Sequence, residues 1–247
     1  MRKIEAHQMA TSTMVSVTPA EVTSGFRDPS FGHNRQLPLH RWVPWVAGFS
    51  AQFVSDCINT YLLRENRSNA WLLDPFSGVG TAPLEAYLKG LNVIGFEINP
   101  YAVLALRAKL EAAKLPIRNL ADKIVGFQEF MNRMCSPSAP RFTCPESTPP
   151  TGFSGRTELF SPKVERQVLF ALDFMKSISN KAVKDLFLLA LGSVMISFSN
   201  YTYEPSLTRR SAVGKPAIED ADVGLVITKN FPRCLTTLWN IKKTFVR

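Results

Sequence analysis

The stretch from Trp71 to Pro100, WLLDPFSGVGTAPLEAYLKGLNVIGFEINP, constrains this chain more than any other. Trp71-Leu72-Leu73 is a short apolar run that ends on an acid, Asp74, and predicts a strand. Gly78 and Gly80 follow, and Thr81 is placed to cap a helix with Pro83 in its first turn, where a missing N–H is harmless. Gly90 is the kind of residue that closes a helix. Asn92 to Phe96 (NVIGF) predicts a second strand, and Pro100 opens a further helix, Tyr101 to Lys114. Strand–helix–strand–helix at this spacing is the repeating unit of a parallel, doubly wound sheet.

The residues between the first strand and its helix each have a physical task. Gly78 and Gly80 carry no Cβ, so the backbone can bend sharply and lie against a ligand. The helix beginning at Thr81 points free N–H groups and its positive end into the same crevice. Asp74 can accept hydrogen bonds from a cationic amino group, and open α/β sheets bind ligands at the carboxyl ends of their strands. Glu97 ends the second strand, where an acid can hold the two hydroxyls of a ribose, and Ile98 and Asn99 are placed to flank a base. Two other readings stand beside this one. Gly78-x-Gly80-x-x-Pro83 is part of a dinucleotide fingerprint, but there the glycines follow the strand at once, and an anionic Asp74 suits a positive group better than a pyrophosphate. A turn with caps and no ligand is the other.

Elsewhere the pattern is mainly helical. Residues 1–37 are polar and read as a poorly ordered leader. Ser50 is a plausible N-cap for a helix over Gln52 to Leu63. Residues 38–135 form the first unit, ending in a helix from Ile117 to Met134. Residues 136–157, rich in Pro, Ser and Thr, read as a linker. Residues 158–247 begin with helices Pro162 to Ile178 and Lys181 to Phe198. The stretch Asn200 to Lys215 reads as irregular and basic. In the last segment DVGLVIT favours the first turns of a helix over a strand, on balance.

Composition narrows the function classes. The net charge of +9 and the pI near 9.6 suit a polyanionic partner without requiring one. Cys57, Cys135, Cys144 and Cys234 are scattered, and His7, His33 and His40 complete no zinc spacing, so no metal site is expected. Lone thiols suit a reducing, cytoplasmic setting. The N-terminus lacks the apolar core of a signal peptide, and the longest apolar run, Leu186 to Phe198, is too short to span a bilayer.

DPFSGVGT followed by LNVIGFEINP resembles motifs I and II of the amino-methylating DNA methyltransferases. His40 to Val54 (HRWVPWVAGFSAQFV) is similar to motif X of that family, and the block from Glu158 to Asn200 resembles the helical insertion that some members carry. The resemblance implies an α/β, Rossmann-like class I methyltransferase fold, with an incomplete parallel sheet and a large helical insertion. It implies S-adenosylmethionine as cofactor and double-stranded DNA with a flipped base as partner. Phe49, Ser50 and Thr81 would then lie near the methionine carboxylate, and Asp74 would face the methionine amino group. Pro75, Phe76, Gly78 and Gly80 would form the binding turn, Glu97 would hold the ribose, and Ile98 and Asn99 would border the adenine. For Phe49 and Ser50, core packing and helix capping are equally good explanations.

The family's catalytic tetrapeptide, [D/N/S]-P-P-[Y/F/W], does not occur in the chain. Thr228-Lys229-Asn230-Phe231-Pro232 comes nearest, with a single proline in the wrong order. The expectation is therefore an amino methyltransferase whose catalytic half lies outside this chain, with catalytic residues unknown and the missing half or a restriction endonuclease as a possible partner. An RNA amino methyltransferase, an inactive cofactor-binding module and, more remotely, an NAD-dependent oxidoreductase are the alternatives. The basic residues from Arg209 to Arg247 read either as phosphate contacts or as an ordinary solvated face.

Overall fold

The computed structural model describes residues 25–43, 45, 48–62, 70–112, 115, 117–136, 143–150, 159–203 and 206–231. In chain order these hold helix α1 (Ala51–Tyr61), strand β1 (Trp71–Asp74), α2 (Thr81–Leu88), β2 (Asn92–Gly95), α3 (Pro100–Leu110), α4 (Ile117–Cys135), α5 (Pro162–Ser177), α6 (Lys181–Val194), strands β3 (Tyr201–Tyr203) and β4 (Leu207–Arg209), and a last helix, α7, over 223–231. The architecture is mixed α/β, with a small parallel sheet and a majority of helices.

β1 and β2 are parallel and in register from Trp71↔Asn92 to Asp74↔Gly95. Leu72 and Val93 point to one face and pack against Val54, Ile58, Ala86 and Leu91 of α1, α2 and the segment after α2. Alternate residues point the other way. On that face Trp71 and Leu73 are 61% and 63% exposed, and Ile94 and Phe96 are exposed as well. The sheet is thus covered on one side only among the described residues, although parallel sheets are ordinarily covered on both.

The helices form the larger core. α4 buries Leu120, Ile124, Phe127 and Met131, and α5 buries Val164, Val168, Ala171 and Met175, each set a single stripe at helical spacing. α6 is apolar nearly all round and lies between them and α3. Phe127, Phe187 and Phe231 are fully buried, and burying each contributes roughly 1.5–3 kcal/mol. Two glycines permit close helix approach. A Cβ on Gly192 of α6 would stand 2.2 Å from the Tyr101 ring of α3, and one on Gly224 of α7 would stand 2.8 Å from Met131 of α4. One hydrophobic cluster runs from Trp42 and Val79 through α3 to α7, so the Gly-rich turn and the helical block share a core.

Several local expectations meet the structure directly. Ser50 caps α1, its hydroxyl accepting the Phe53 N–H at 3.2 Å, and Ser161 caps α5 in the same way. The N-cap of α2 is Gly80, not Thr81, because the left-handed backbone at Gly80 (φ +83°) starts the helix one residue earlier. Asn200 to Lys215 is not irregular: β3 and β4 form a three-pair antiparallel hairpin, followed by a 3₁₀ turn over Arg210–Val213. Strands of three residues are too short to show an alternation in sequence. The helical reading of DVGLVIT holds through residue 231, and 232–247 lie outside the described residues.

Of the polar leader, residues 1–24 lie outside the description. Residues 25–37 include a 3₁₀ turn, Phe31–Arg35, and the Arg27 guanidinium pairs with Asp56 of α1 at 2.7 Å. Within the expected linker, the N–H groups of Glu146 and Ser147 donate to the Asp173 carboxylate on α5 at 2.8 and 2.7 Å. That pairing satisfies irregular backbone as a regular ladder would.

Candidate functional site: an acid-glycine turn closed by a second acid

The turn after β1 is built by backbone geometry before any side chain acts. The Asp74 carbonyl accepts both the Phe96 N–H at 2.9 Å and the Ser77 hydroxyl at 3.0 Å. The Ser77 N–H donates to the Phe96 carbonyl at 2.9 Å, so the turn stays stitched to the end of β2. Ser77 reaches this position only because residue 95 is glycine: a Cβ there would meet the Ser77 hydroxyl at 2.4 Å. Gly78 and Gly80 both have positive φ, at +50° and +83°, a region that costs side-chain-bearing residues strain. A Cβ on Gly78 would approach the Trp45 indole nitrogen at 3.3 Å, and one on Gly80 would collide with Leu106 of α3 at 2.3 Å.

The two acids frame this turn. Asp74 Oδ1 accepts the Phe76 N–H at 3.0 Å, and Oδ2 has no partner among the described residues. Glu97 does more. Its Oε1 accepts the Asn99 N–H at 2.7 Å and its Oε2 accepts the Gly78 N–H at 2.8 Å. These N–H donors, Asn99 first, hold the Glu97 carboxyl below its ordinary range, so it is ionised at neutral pH. A carboxylate offers about four acceptor positions, so Glu97 keeps capacity for two hydroxyl donors.

The borders of the crevice are open. Phe76 is 89% and Ile98 99% exposed, an unusual placement for large apolar side chains. The Asn99 side chain caps α3, accepting from Tyr101 N–H at 2.9 Å with Pro100 at the first helical position. The N-terminus of α2 faces the crevice from Gly80 and Thr81, and the buried Thr81 lies in its first turn.

The expected site residues thus divide in two. Asp74, Pro75, Phe76, Gly78, Gly80, Thr81, Glu97, Ile98 and Asn99 line one turn and its closing strand end. Phe49 and Ser50 begin α1, which packs along α2. The Ser50 hydroxyl is buried in its capping bond, and Phe49 is exposed, its ring tilted 34° against that of Phe53 at 5.9 Å. Among the described residues no hydrogen bond joins either to the turn. Four residues of the site were not singled out from sequence: Trp45, Ser77, Gly95 and Lys109, whose ammonium donates to the Val79 carbonyl at 2.8 Å. A glycine inside a strand pattern signals close backbone approach, which is the sequence cue for Gly95.

Of the nearest catalytic candidate, Thr228 to Pro232, the proline lies outside the described residues. Thr228 to Phe231 are helical, Phe231 is fully buried 4.6 Å from the Phe187 ring, and the Asn230 amide donates to the Ser193 hydroxyl at 2.6 Å. A cavity of about 430 Å³ lies away from the turn, lined by Met131, Cys135, Lys163, Gln167, Asp220 and Asp222. It has no part in the strand-end chemistry. No cluster of three potential metal ligands occurs among the described residues, and no described helix is long and apolar enough to cross a membrane.

With this geometry in view, the comparisons with known proteins point one way. The chain is 34% identical over 80 residues to the Type II methyltransferase M.BsoBI of Geobacillus stearothermophilus, a match covering 32% of this chain and 15% of that relative. It is 34% identical over 71 residues to the Type II methyltransferase M.AvaI of Nostoc sp. (strain PCC 7120), covering 29% of this chain and 14% of the relative. The same figures hold for M.AvaI of Anabaena variabilis. The similarity is therefore to a short part of much longer proteins. No family model and no solved structure matches the chain.

Proposed function

We propose that this chain is the S-adenosylmethionine-binding part of a Rossmann-like methyltransferase acting on exocyclic amino groups of DNA bases. The carrying observation is the bond from Gly78 N–H to the Glu97 carboxylate, which closes two separate sequence motifs into one acid-lined crevice. The crevice suits the cofactor's chemistry. Asp74 has a carboxylate oxygen without a partner among the described residues for the amino group, the positive-φ glycines let the backbone bend tightly against Trp45 and Leu106, and Glu97 retains acceptors for the ribose hydroxyls. When bound, the cofactor supplies a methyl group activated by its sulfonium. The chain's own residues bind and orient it: Ile98 and Phe76 offer apolar borders, and α2 offers its N-terminal N–H groups.

Methyl transfer to an amine needs a polar group and an aromatic ring around a flipped base. No tetrapeptide of that kind is present in the sequence, and Asn230 and Phe231 are engaged in helix packing. We therefore assign the catalytic half to polypeptide outside this chain. The bare face of β1 and β2, with Trp71, Leu73, Ile94 and Phe96 exposed, is consistent with further strands and helices completing the sheet. The relatives' name, Type II methyltransferase, favours DNA over RNA as the acceptor, and the net charge of +9 suits a polyanion of either kind.

Calorimetry with S-adenosylmethionine tests the reading. Binding by the wild-type chain that Asp74→Ala and Glu97→Ala each weaken about tenfold or more is the expected result. Well-folded protein that gives no heat, or that prefers NAD, overturns it. Measurable DNA methylation by the 247-residue chain alone would overturn the assignment of catalysis to another segment.

A further inference from the structure

Beneath the Gly-rich turn lies a feature that the cofactor reading does not use. Lys109 of α3 is 1% exposed, among the most buried side chains of the protein. Its ammonium makes one hydrogen bond, to the Val79 carbonyl at 2.8 Å. Val79 stands between the two positive-φ glycines. Leu106, one helical turn before Lys109 and so on the same face of α3, fills the space where a Gly80 Cβ would sit. A single helix face thus supports the turn at two successive residues, by an apolar contact under Gly80 and a polar one under Val79. Lysine is almost never fully buried unless paired, and among the described residues no carboxylate pairs with it.

We propose that Lys109 is a positioning residue for S-adenosylmethionine binding, and that the affinity of the turn depends on the protonation of its buried amine. The proposal rests on the cofactor reading above. A charged amine holds the Val79 carbonyl through a charge-assisted bond, about twice as strong as a neutral one. The Val79 carbonyl and the Gly80 N–H share one peptide plane, so fixing the carbonyl fixes that N–H, which closes the turn on the Ser77 carbonyl at 2.7 Å, two residues from the Gly78 N–H that meets Glu97. Burial lowers the Lys109 pKa to about 7, so the charge that anchors the turn is lost near neutrality.

The charged groups on the packed elements do not supply a partner. On α2, Glu85 bonds to His40 at 2.9 Å. On α6, Asp185 takes both Arg107 of α3 and Lys181, with Lys184 on the same helix. Above the turn, Glu97 is engaged with Gly78 and Asn99, and Asp74 with Phe76. Glu111, the acid nearest in sequence, follows the end of α3. Burial alone accounts for the displaced pKa.

The test measures S-adenosylmethionine binding by calorimetry at pH 6 and pH 8.5, for wild type, Lys109→Met and Lys109→Gln. The ligand's own amino group titrates in this range, so the ratio of variant to wild-type Kd at each pH is read, which cancels that effect. A ratio of tenfold or more for Lys109→Met at pH 6, shrinking severalfold by pH 8.5, is expected. A second measurement needs no variant: amide chemical shifts of Gly78 and Gly80 in the wild type should titrate with a midpoint near neutrality. Wild-type protein that does not bind overturns the cofactor reading and this inference with it. Wild-type binding that Lys109→Met matches at both pH values overturns the inference alone, and so do glycine amides that do not titrate.

Discussion

The Glu97 carboxylate accepts the Gly78 N–H at 2.8 Å while its other oxygen takes the Asn99 N–H at 2.7 Å. One side chain therefore ties the glycine turn to the start of α3, across a sequence separation of 19 residues. Glu97→Gln keeps an acceptor oxygen but loses the charge, whereas Glu97→Ala loses both bonds. S-adenosylmethionine affinity should fall about tenfold or more for Glu97→Ala and less for Glu97→Gln, as read by calorimetry. The pH dependence follows from the lowered pKa of Glu97. A carboxyl whose folded pKa is depressed contributes above its unfolded value and loses that contribution as pH falls through the folded value. The Gly78 and Asn99 amide resonances should thus hold steady at mildly acidic pH and shift only on further acidification.

Gly80 carries a conformational and a steric requirement together. Its φ is +83°, and an added Cβ would lie 2.3 Å from Leu106 Cδ1. Gly80→Ala should destabilise the fold by roughly 1–3 kcal/mol through backbone strain, with a further contribution from the clash. The two parts separate in a double-mutant cycle with Leu106→Ala, which removes the Cδ1 and Cγ contacts at 2.3 and 3.0 Å, keeps the Cβ contact at 3.0 Å, and leaves the strain. Urea denaturation of the four proteins should show positive coupling, with Gly80→Ala milder in the Leu106→Ala background.

The turn was legible in sequence because each part has a distinct residue type: an acid, glycines, a proline-tolerant helix start, and an acid after the next strand. The polar and packing partners beneath it were not. Lys109 reads as a surface residue of a helix until tertiary packing buries it beneath the turn, and Ser77 matters only once Gly95 is opposite. Trp45 comes from a segment far away in sequence, and only tertiary contact brings it to Gly78. The helices of the second half were read from periodicity and caps such as Ser161, while the three-residue strands of the hairpin fell below any period. The sheet's exposed face had no sequence signature, since the continuous apolar run Trp71-Leu72-Leu73 shows none of the alternation that marks a half-exposed strand.

Asn230 and Phe231 invite a catalytic reading from sequence, and the structure predicts the opposite behaviour. Phe231 is fully buried with its ring 4.6 Å from that of Phe187 on α6, so Phe231→Ala should cost about 3–5 kcal/mol of stability. Asn230 donates to Ser193 at 2.6 Å, and Asn230→Ala should cost roughly 0.5–1.5 kcal/mol. Neither should alter S-adenosylmethionine affinity in the folded fraction. Denaturation curves paired with calorimetry check both halves of this expectation. A cofactor defect in Asn230→Ala with unchanged stability would place that residue at the ligand instead.

Lys109 makes the stability of the whole fold depend on pH in a predictable direction. Its pKa in the folded protein is lowered by burial to about 7, from an ordinary lysine value of 10.5. Between those values the unfolded chain binds a proton that the folded chain does not, so stability rises with pH across that window. Below pH 7 both states are protonated, and the fold carries the full cost of a buried charge. Lys109→Met removes the titration. The wild type should therefore gain on the variant by up to about 1.4 kcal/mol per pH unit between pH 7 and 10, with a flat difference in more acid solution. Urea unfolding at several pH values measures this slope, and the Val79 carbonyl left without its donor adds a constant penalty to the variant at every pH. A constant difference from pH 6 to 10 would mean that the amine keeps its proton in the folded state. The Val79 anchor would then remain charged throughout that range.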